Sequence, residues 1–281
     1  MISTGAVRIR PEHPYGSRKP MYWWLLTSRQ WTPPRPINVY VIEHTRGLVL
    51  FDTGQNRASV TDERYFPGGL TGYFYDRLAR FDIGEQDTLT AQLATLGYTP
   101  SDVDTAILSH LHQDHIGGLP ELTGSELLVS AAEWAELSRP GPEQRGFMRG
   151  HIQLPGLKWH QISPEPTRDP ALAPFTESLD VMGDGSLVLL PTPGHTAGSM
   201  SLLVRRTGRP GPGRAARPRP HRRPATARQL TAVAGGRYDR LAEADAAVVA
   251  RDPGVDKDRE TPVLQTADRA LEEQQVLEHP A

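Results

Sequence analysis

His110-Leu111-His112-Gln113-Asp114-His115 is the stretch on which the reading of this chain turns. Four metal-binding side chains fall within six positions. Three are imidazoles, which suit zinc and its neighbours, and the fourth is a carboxylate. The preceding residues 104–109 read as a short buried strand, and Gly117-Gly118 marks a turn. The cluster therefore sits where a strand ends and a loop begins, a common place for chemistry on a rigid scaffold. Alternate residues of a strand end point the same way, so His110 and His112 are expected to converge on one ion. Asp114 and His115 follow the turn and are expected to reach a second ion beside the first. The bland alternative, a solvated loop with scattered histidines, is disfavoured by the spacing.

Upstream, residues 37–42 are β-branched and aromatic and read as a strand, with a turn at 43–47 and a return strand at 48–51. That strand runs into Asp52, which is either a surface turn residue or a support for the metal site from behind its ligands. Residues 1–36 read as irregular and Pro-rich, with Tyr22, Trp23, Trp24 and Trp31 as core or pocket wall. Residues 55–85 have weak periodicity and carry Tyr65, Phe66, Tyr73, Phe74, Tyr75 and Phe81. A lid, a pocket wall, a dimer contact and a satellite apolar cluster all fit that segment.

Downstream, residues 87–96 fit an amphipathic helix with Leu89, Leu93 and Leu96 on one face, ended by Gly97. Ser130-Ala131-Ala132-Glu133 reads as a capping box opening a helix through Leu137. Asp184-Gly185 signals a hairpin turn, followed by strands at 186–190 and 199–204. Between them His195 lies in a loop stiffened by Pro191, Pro193 and Gly194. A lone loop histidine is usually just solvated, but the upstream cluster lacks a third imidazole and His195 supplies it. Alternating strands and helices indicate an α/β layered domain.

The chain has 281 residues, enough for one large domain or one domain plus a tail. Its formal net charge of −2 argues neither for nor against a nucleic-acid partner. It has no cysteine, so disulfides and thiolate ligands are excluded and any metal rests on His and carboxylate. Residues 1–20 lack the apolar core of a secretory signal, and the run 21–26 is far too short to span a bilayer. A soluble cytoplasmic protein is the expectation.

Three pieces together resemble the metallo-β-lactamase superfamily: Phe51-Asp52-Thr53-Gly54, Ser109-His110-Leu111-His112-Gln113-Asp114-His115-Ile116-Gly117-Gly118, and Thr192-Pro193-Gly194-His195-Thr196-Ala197-Gly198-Ser199. The resemblance covers about residues 37–204. It implies a four-layer αββα sandwich with metals at one edge of the two sheets. It implies a first ion on His110, His112 and His195. A second ion would take Asp114 and His115, plus a later bridging Asp and a final His. The missing cysteine speaks against the β-lactamase type that uses a thiolate, and His112 speaks against the diiron oxygen reductases. His115 fits the glyoxalase II, lactonase and RNase Z branches. The leader 31–44 and the aromatic insert are similar in layout to N-acyl homoserine lactone lactonases, the quorum-quenching enzymes. The implied chemistry is attack on an ester, lactone or thioester carbonyl by a metal-bound hydroxide, formed because the ion lowers the pKa of its water to about 7. Asp114 would move the proton to the leaving group, and the aromatic segments would line an apolar groove for an acyl chain.

After Val204 the pattern breaks. Of the 24 residues 205–228, nine are Arg, five Pro, four Ala and three Gly. No Asp or Glu occurs between Gly185 and Asp239, the interval where the resemblance places the bridging Asp. Neither His221 nor His279 is a convincing final ligand. Two readings fit: a frame shift near residue 205 in a GC-rich gene, or a native basic linker.

The expectation is thus a metallo-β-lactamase-like domain at 1–204, incomplete at its C-terminal end, a basic segment at 205–236, and a segment without a visible role at 237–281. The expected function is a zinc-dependent hydrolase, with one or two ions and with iron or manganese as alternatives, that opens a small-molecule lactone. A glyoxalase II-like thioesterase and an inactive, truncated or frame-shifted homologue with a basic tail are the alternatives. Neither a membrane nor nucleic acid is expected as a partner.

Overall fold

The computed structural model describes residues 1–205 and, by backbone alone, 248–251. These residues divide into two compact units. The first comprises Met1–Pro164 with Pro191–Met200, and the second comprises Glu165–Leu190 with the described residues from Ser201 onward.

The first unit is built on seven strands: β1 (Ile2–Ile9), β2 (Arg35–His44), β3 (Gly47–Phe51), β4 (Ala79–Asp82), β5 (Val103–Ile107), β6 (Glu126–Ser130) and β7 (Lys158–Ile162). Their order is β4-β1-β2-β3-β5-β6-β7. Strands β3, β5, β6 and β7 run parallel, and β4, β1, β2 and β3 are joined antiparallel. Its helices are α1 (Glu12–Tyr15), α2 (Met21–Thr27), α3 (Ala58–Thr61), α4 (Gly69–Leu78), α5 (Leu89–Thr95), α6 (Gln113–Ile116), α7 (Ala131–Ala135) and α8 (Arg149–Ile152). Of the parallel strands, β3 reads as a continuous apolar run, and its residues Leu48, Val49, Leu50 and Phe51 are all buried. Leu50, Ala106, Leu127 and Val129 are buried with Leu89, Leu93, Leu111 and Ile116 in one core cluster. Each such Leu, Ile or Val side chain contributes roughly 1.5–3 kcal/mol.

The hairpin at residues 37–51 forms as expected, with Tyr40 opposite Phe51. Four local expectations are corrected. The supposedly irregular N-terminus holds β1, whose Ile2, Thr4 and Val7 are buried between β2 and β4. Residues 55–85 contain α3, α4 and β4 rather than one long loop. The amphipathic helix begins later than expected, capped by Thr88, whose hydroxyl accepts from Ala91 N. Leu89 and Leu93 are buried on it, but Leu96 is 46% exposed. Leu96 is already the C-cap, and the chain departs through Gly97 at φ 80°. Finally, Ser130 makes no side-chain cap to α7, and the Glu133 carboxylate accepts from Leu111 and Gly198 N–H groups instead of completing a capping box.

The second sheet has the order β12-β11-β10-β9-β8, formed by β8 (Glu165–Pro166), β9 (Glu177–Asp180), β10 (Leu187–Pro191), β11 (Met200–Arg205) and β12 (Val248–Arg251). β9 and β10 are antiparallel, with Val188 opposite Asp180. Their connection is longer than a two-residue turn, and the Asp180 carboxylate accepts from Met182, Gly183 and Gly185 N–H groups. Leu172, Val188, Leu190 and Leu203 form this unit's own apolar cluster. Apart from Arg205 and the backbone of 248–251, the expectations for residues 205–281 lie outside the described residues. Among the described residues, no helix is long and apolar enough to cross a membrane.

Candidate metal centre

The carboxyl ends of parallel strands are where open α/β sheets usually place a site. Here Asp52 follows β3 and residues 108–112 follow β5. Asp52 N donates to Ile107 O at 2.8 Å, so both strand ends are tied together. Asp52 adopts φ 61°, a left-handed conformation that Asp tolerates better than most residues. Its carboxylate is buried. One oxygen accepts from Ser109 N at 2.8 Å, and the other accepts from the Ser109 hydroxyl at 2.9 Å and from His115 Nδ1 at 2.9 Å.

These bonds decide which nitrogen each ring presents. A carboxylate only accepts, so His115 Nδ1 carries the proton and Nε2 keeps its lone pair. The Ser109 hydroxyl spends its proton on Asp52 and accepts from His110 Nδ1 at 3.0 Å. His110 Nε2 then holds a lone pair, and this atom is buried with no hydrogen-bond partner among the described residues. His112 Nε2 donates to the Arg145 carbonyl at 3.1 Å, which leaves the lone pair on Nδ1. That Nδ1 lies 2.8 Å from His195 Nε2.

β5 ends three residues before His110, yet the alternation persists: Leu111 points into the core. The rings of His110 and His112 have centroids 4.8 Å apart. His195 arrives from a loop closed by Thr192 N to Ser199 O at 2.9 Å and joined to the first cluster by Met200 N to Ser109 O at 2.9 Å. His110, His112 and His195 each bring one ligand atom within 4.8 Å of the others. Burial, and then the neighbouring His115, His112 and His195, hold His110 well below the ordinary imidazole range. A neutral imidazole is the form that ligates a metal, and the orphaned His110 Nε2 fits a cation.

Asp114 and His115 lie on α6, with His115 Nε2 3.7 Å from Asp114 Oδ2. The structure thus brings together all six residues singled out from sequence: Asp52, His110, His112, Asp114, His115 and His195.

Two carboxylates were not singled out. Glu133, fully buried on α7, accepts from Leu111 N at 2.9 Å and from Gly198 N at 3.1 Å. Burial raises its pKa, opposed by these bonds and by one from the Thr196 side chain. Glu136, in the following turn, pairs with Arg139 at 2.7 Å and Arg145 at 3.5 Å. The S-x-x-E pattern around Glu133 points to a helix cap, and its actual partners are distant in sequence.

Tyr65 lies near Asp114: burial, and secondarily the Asp114 charge, push its phenol above the usual range. Its ring packs on His151 with centroids 4.3 Å apart. Phe66 stacks on Tyr75 and Phe81 at 5.3 and 6.3 Å, so much of the aromatic insert is a self-packed cluster. A cavity of about 370 Å³ opens beside His112 and His195. It is lined also by Glu136, Arg139, Arg145 and Phe147, and by none of the aromatics of 55–85.

Several known proteins are similar to this chain. The chain is 33% identical over 171 residues to the N-acyl homoserine lactonase AttM of Rhizobium radiobacter, covering 60% of each. It is 35% identical over 170 residues to the probable metallo-hydrolase Rv2300c of Mycobacterium tuberculosis, covering 59% of this chain and 52% of that protein. This chain therefore spans only about half to three-fifths of the length of such relatives. A single-site mutant of AiiA from B. thuringiensis, solved with N-decanoyl-L-homoserine bound at its active site, shares the fold. Its TM-score is 0.55 at 23% identity, over 73% of this chain and 72% of that one. The sequence profile of the metallo-beta-lactamase superfamily matches residues 32–209, and the chain belongs to that superfamily.

Proposed function

We propose that this chain is a metal-dependent hydrolase that opens a lactone ring, with N-acyl homoserine lactones as the substrate class. His110 Nε2, His112 Nδ1 and His195 Nε2 would hold one divalent ion, and Asp114 with His115 Nε2 would contribute to a second. Three imidazoles and a carboxylate without thiolate suit zinc, with iron and manganese as the alternatives. When bound, such an ion lowers the pKa of water and polarises a carbonyl.

The chain's own residues do the rest. Asp52 and the Arg145 carbonyl hold three imidazoles in ligating tautomers. Asp114, partly exposed and 3.7 Å from His115 Nε2, would accept a proton from water and return it to the alkoxide leaving group. Tyr65 walls the Asp114 side. The observation that carries the proposal is the set of outward lone pairs fixed by Asp52, Ser109 and Arg145. The lactone class rests on the names of the curated relatives.

One observation supports a second reading, an inactive copy: no Asp or Glu lies between Gly185 and Asp239 to bridge two ions. Metal analysis of the purified full chain, with ring opening of N-hexanoyl homoserine lactone followed by product chromatography, separates the two. Bound metal with turnover supports the hydrolase. Metal-free protein that takes up no zinc and shows no turnover removes it.

A further inference from the structure

We propose that Glu133 is the positioning residue of the centre, a single carboxylate that sets the distance between the two histidine-bearing loops. This rests on the reading that His110, His112 and His195 share an ion. Oε1 accepts from Leu111 N, the peptide between His110 and His112, at 2.9 Å. Oε2 accepts from Gly198 N, three residues beyond His195, at 3.1 Å. One rigid planar group thereby spans two loops far apart in sequence. The Thr196 side chain adds a third bond, from the residue next to His195.

The approach is too close to be incidental. A Cβ on Gly198 would overlap the backbone nitrogen of Glu133, so the loop is seated against the start of α7. Burying a carboxylate is costly, and burial is the leading influence on this one, raising its pKa. Its hydrogen bonds are spent on the backbone flanking ligands rather than on its own helix, where Ser130 is left without a capping bond. An apolar side chain would fill the space but leave Leu111 N and Gly198 N without these acceptors.

Glu133→Gln tests the assignment. The amide keeps the volume and one acceptor, and turns its other end into a donor facing an N–H. Zinc affinity of the full chain is measured by competition with a chromophoric chelator, and the cobalt-substituted protein is examined by visible absorption. The expected result is zinc affinity lowered by about 10–100-fold, the range for outer-shell partners of a metal site, with an altered cobalt spectrum. Leu127→Ala, which lowers the melting temperature through the core, serves as the control and is expected to leave both readouts unchanged. Zinc affinity within threefold of the wild type, with the same cobalt spectrum, overturns the proposal. Should Glu133→Gln fail to fold, Glu133→Asp, which keeps the charge and shortens the reach, is read by the same two measurements. If neither variant folds, Glu133 is a folding requirement rather than a positioning residue, and the proposal is overturned. Wild-type protein that binds no zinc indicts the metal reading itself, which separates the two failures.

Discussion

Asp52 Oδ2 lies 2.9 Å from His115 Nδ1 and at the same distance from the Ser109 hydroxyl, which in turn meets His110 Nδ1 at 3.0 Å. One buried carboxylate therefore sets the tautomer of two imidazoles, one directly and one through a serine. Asp52→Asn isolates this role, because Asn also tolerates the left-handed backbone at φ 61°. The variant is expected to bind zinc about 10–100-fold more weakly, measured by chelator competition. Asp52→Ala is expected to lower stability as well, by about 1–3 kcal/mol for a buried donor left unsatisfied, measured by urea unfolding of metal-free protein. Unchanged zinc affinity in Asp52→Asn would show that the tautomers are set without it.

Adding metal should stabilise the fold by mass action. Zinc at about 100 times its dissociation constant contributes about 2.7 kcal/mol, visible as a raised melting temperature that a chelator reverses. His110→Ala, His112→Ala and His195→Ala are each expected to lose most of that shift. A shift that survives all three substitutions would place the ion elsewhere.

Much of this centre is legible in the sequence because its ligands lie in tight motifs whose spacing has geometric meaning. His110 and His112 lie in the short connection after β5, and Asp114 and His115 on α6 directly after it, so local geometry suffices to bring them together. His195 required the added argument that a third imidazole was missing. Glu133 was illegible for a physical reason. Its pattern with Ser130 satisfies a local rule, while its actual partners, Leu111 and Gly198, are reached only through tertiary packing. The same holds for β1, whose residues become a strand through pairing with β2 and β4 rather than through local propensity. Leu96 shows the converse limit: periodicity placed it on the buried face, but the helix ends one residue earlier.

His151 offers a pH test away from the histidine cluster. Its Nδ1 is buried with no hydrogen-bond partner among the described residues, and burial lowers its pKa below the ordinary imidazole value. The unfolded chain therefore binds this proton more readily than the folded one. Its contribution is fully present above the unfolded pKa of about 6.5 and is lost as pH falls from there through the lower folded pKa. Metal-free protein should lose stability over that window, and His151→Phe, which keeps the packing on Tyr65, should flatten the slope. Parallel slopes for the two proteins, measured by urea unfolding at several pH values, would remove His151 as a contributor.

Gly146 links backbone conformation to the metal ligand His112. It adopts φ 95°, which a side chain disfavours, and it follows Arg145, whose carbonyl accepts from His112 Nε2 at 3.1 Å. A Cβ at Gly146 would lie 2.5 Å from His112 Cδ2 and 2.6 Å from Nε2. Gly146→Ala therefore carries backbone strain of about 1–2 kcal/mol and pushes on the ring itself. The ring can yield only by rotating away from the Arg145 carbonyl, which releases the constraint that keeps its lone pair on Nδ1. The expected outcome is weaker zinc binding together with a lowered melting temperature. Arg145→Ala provides the contrast. It retains the carbonyl and removes the guanidinium's ion pair with the Glu136 carboxylate and its hydrogen bond to the Glu136 backbone oxygen at 2.9 Å. It is expected to weaken zinc binding less than Gly146→Ala, because the acceptor for His112 remains. If Arg145→Ala proves the more damaging for zinc, the guanidinium strap rather than the glycine sets the ring, and the order of importance along 145–146 is reversed.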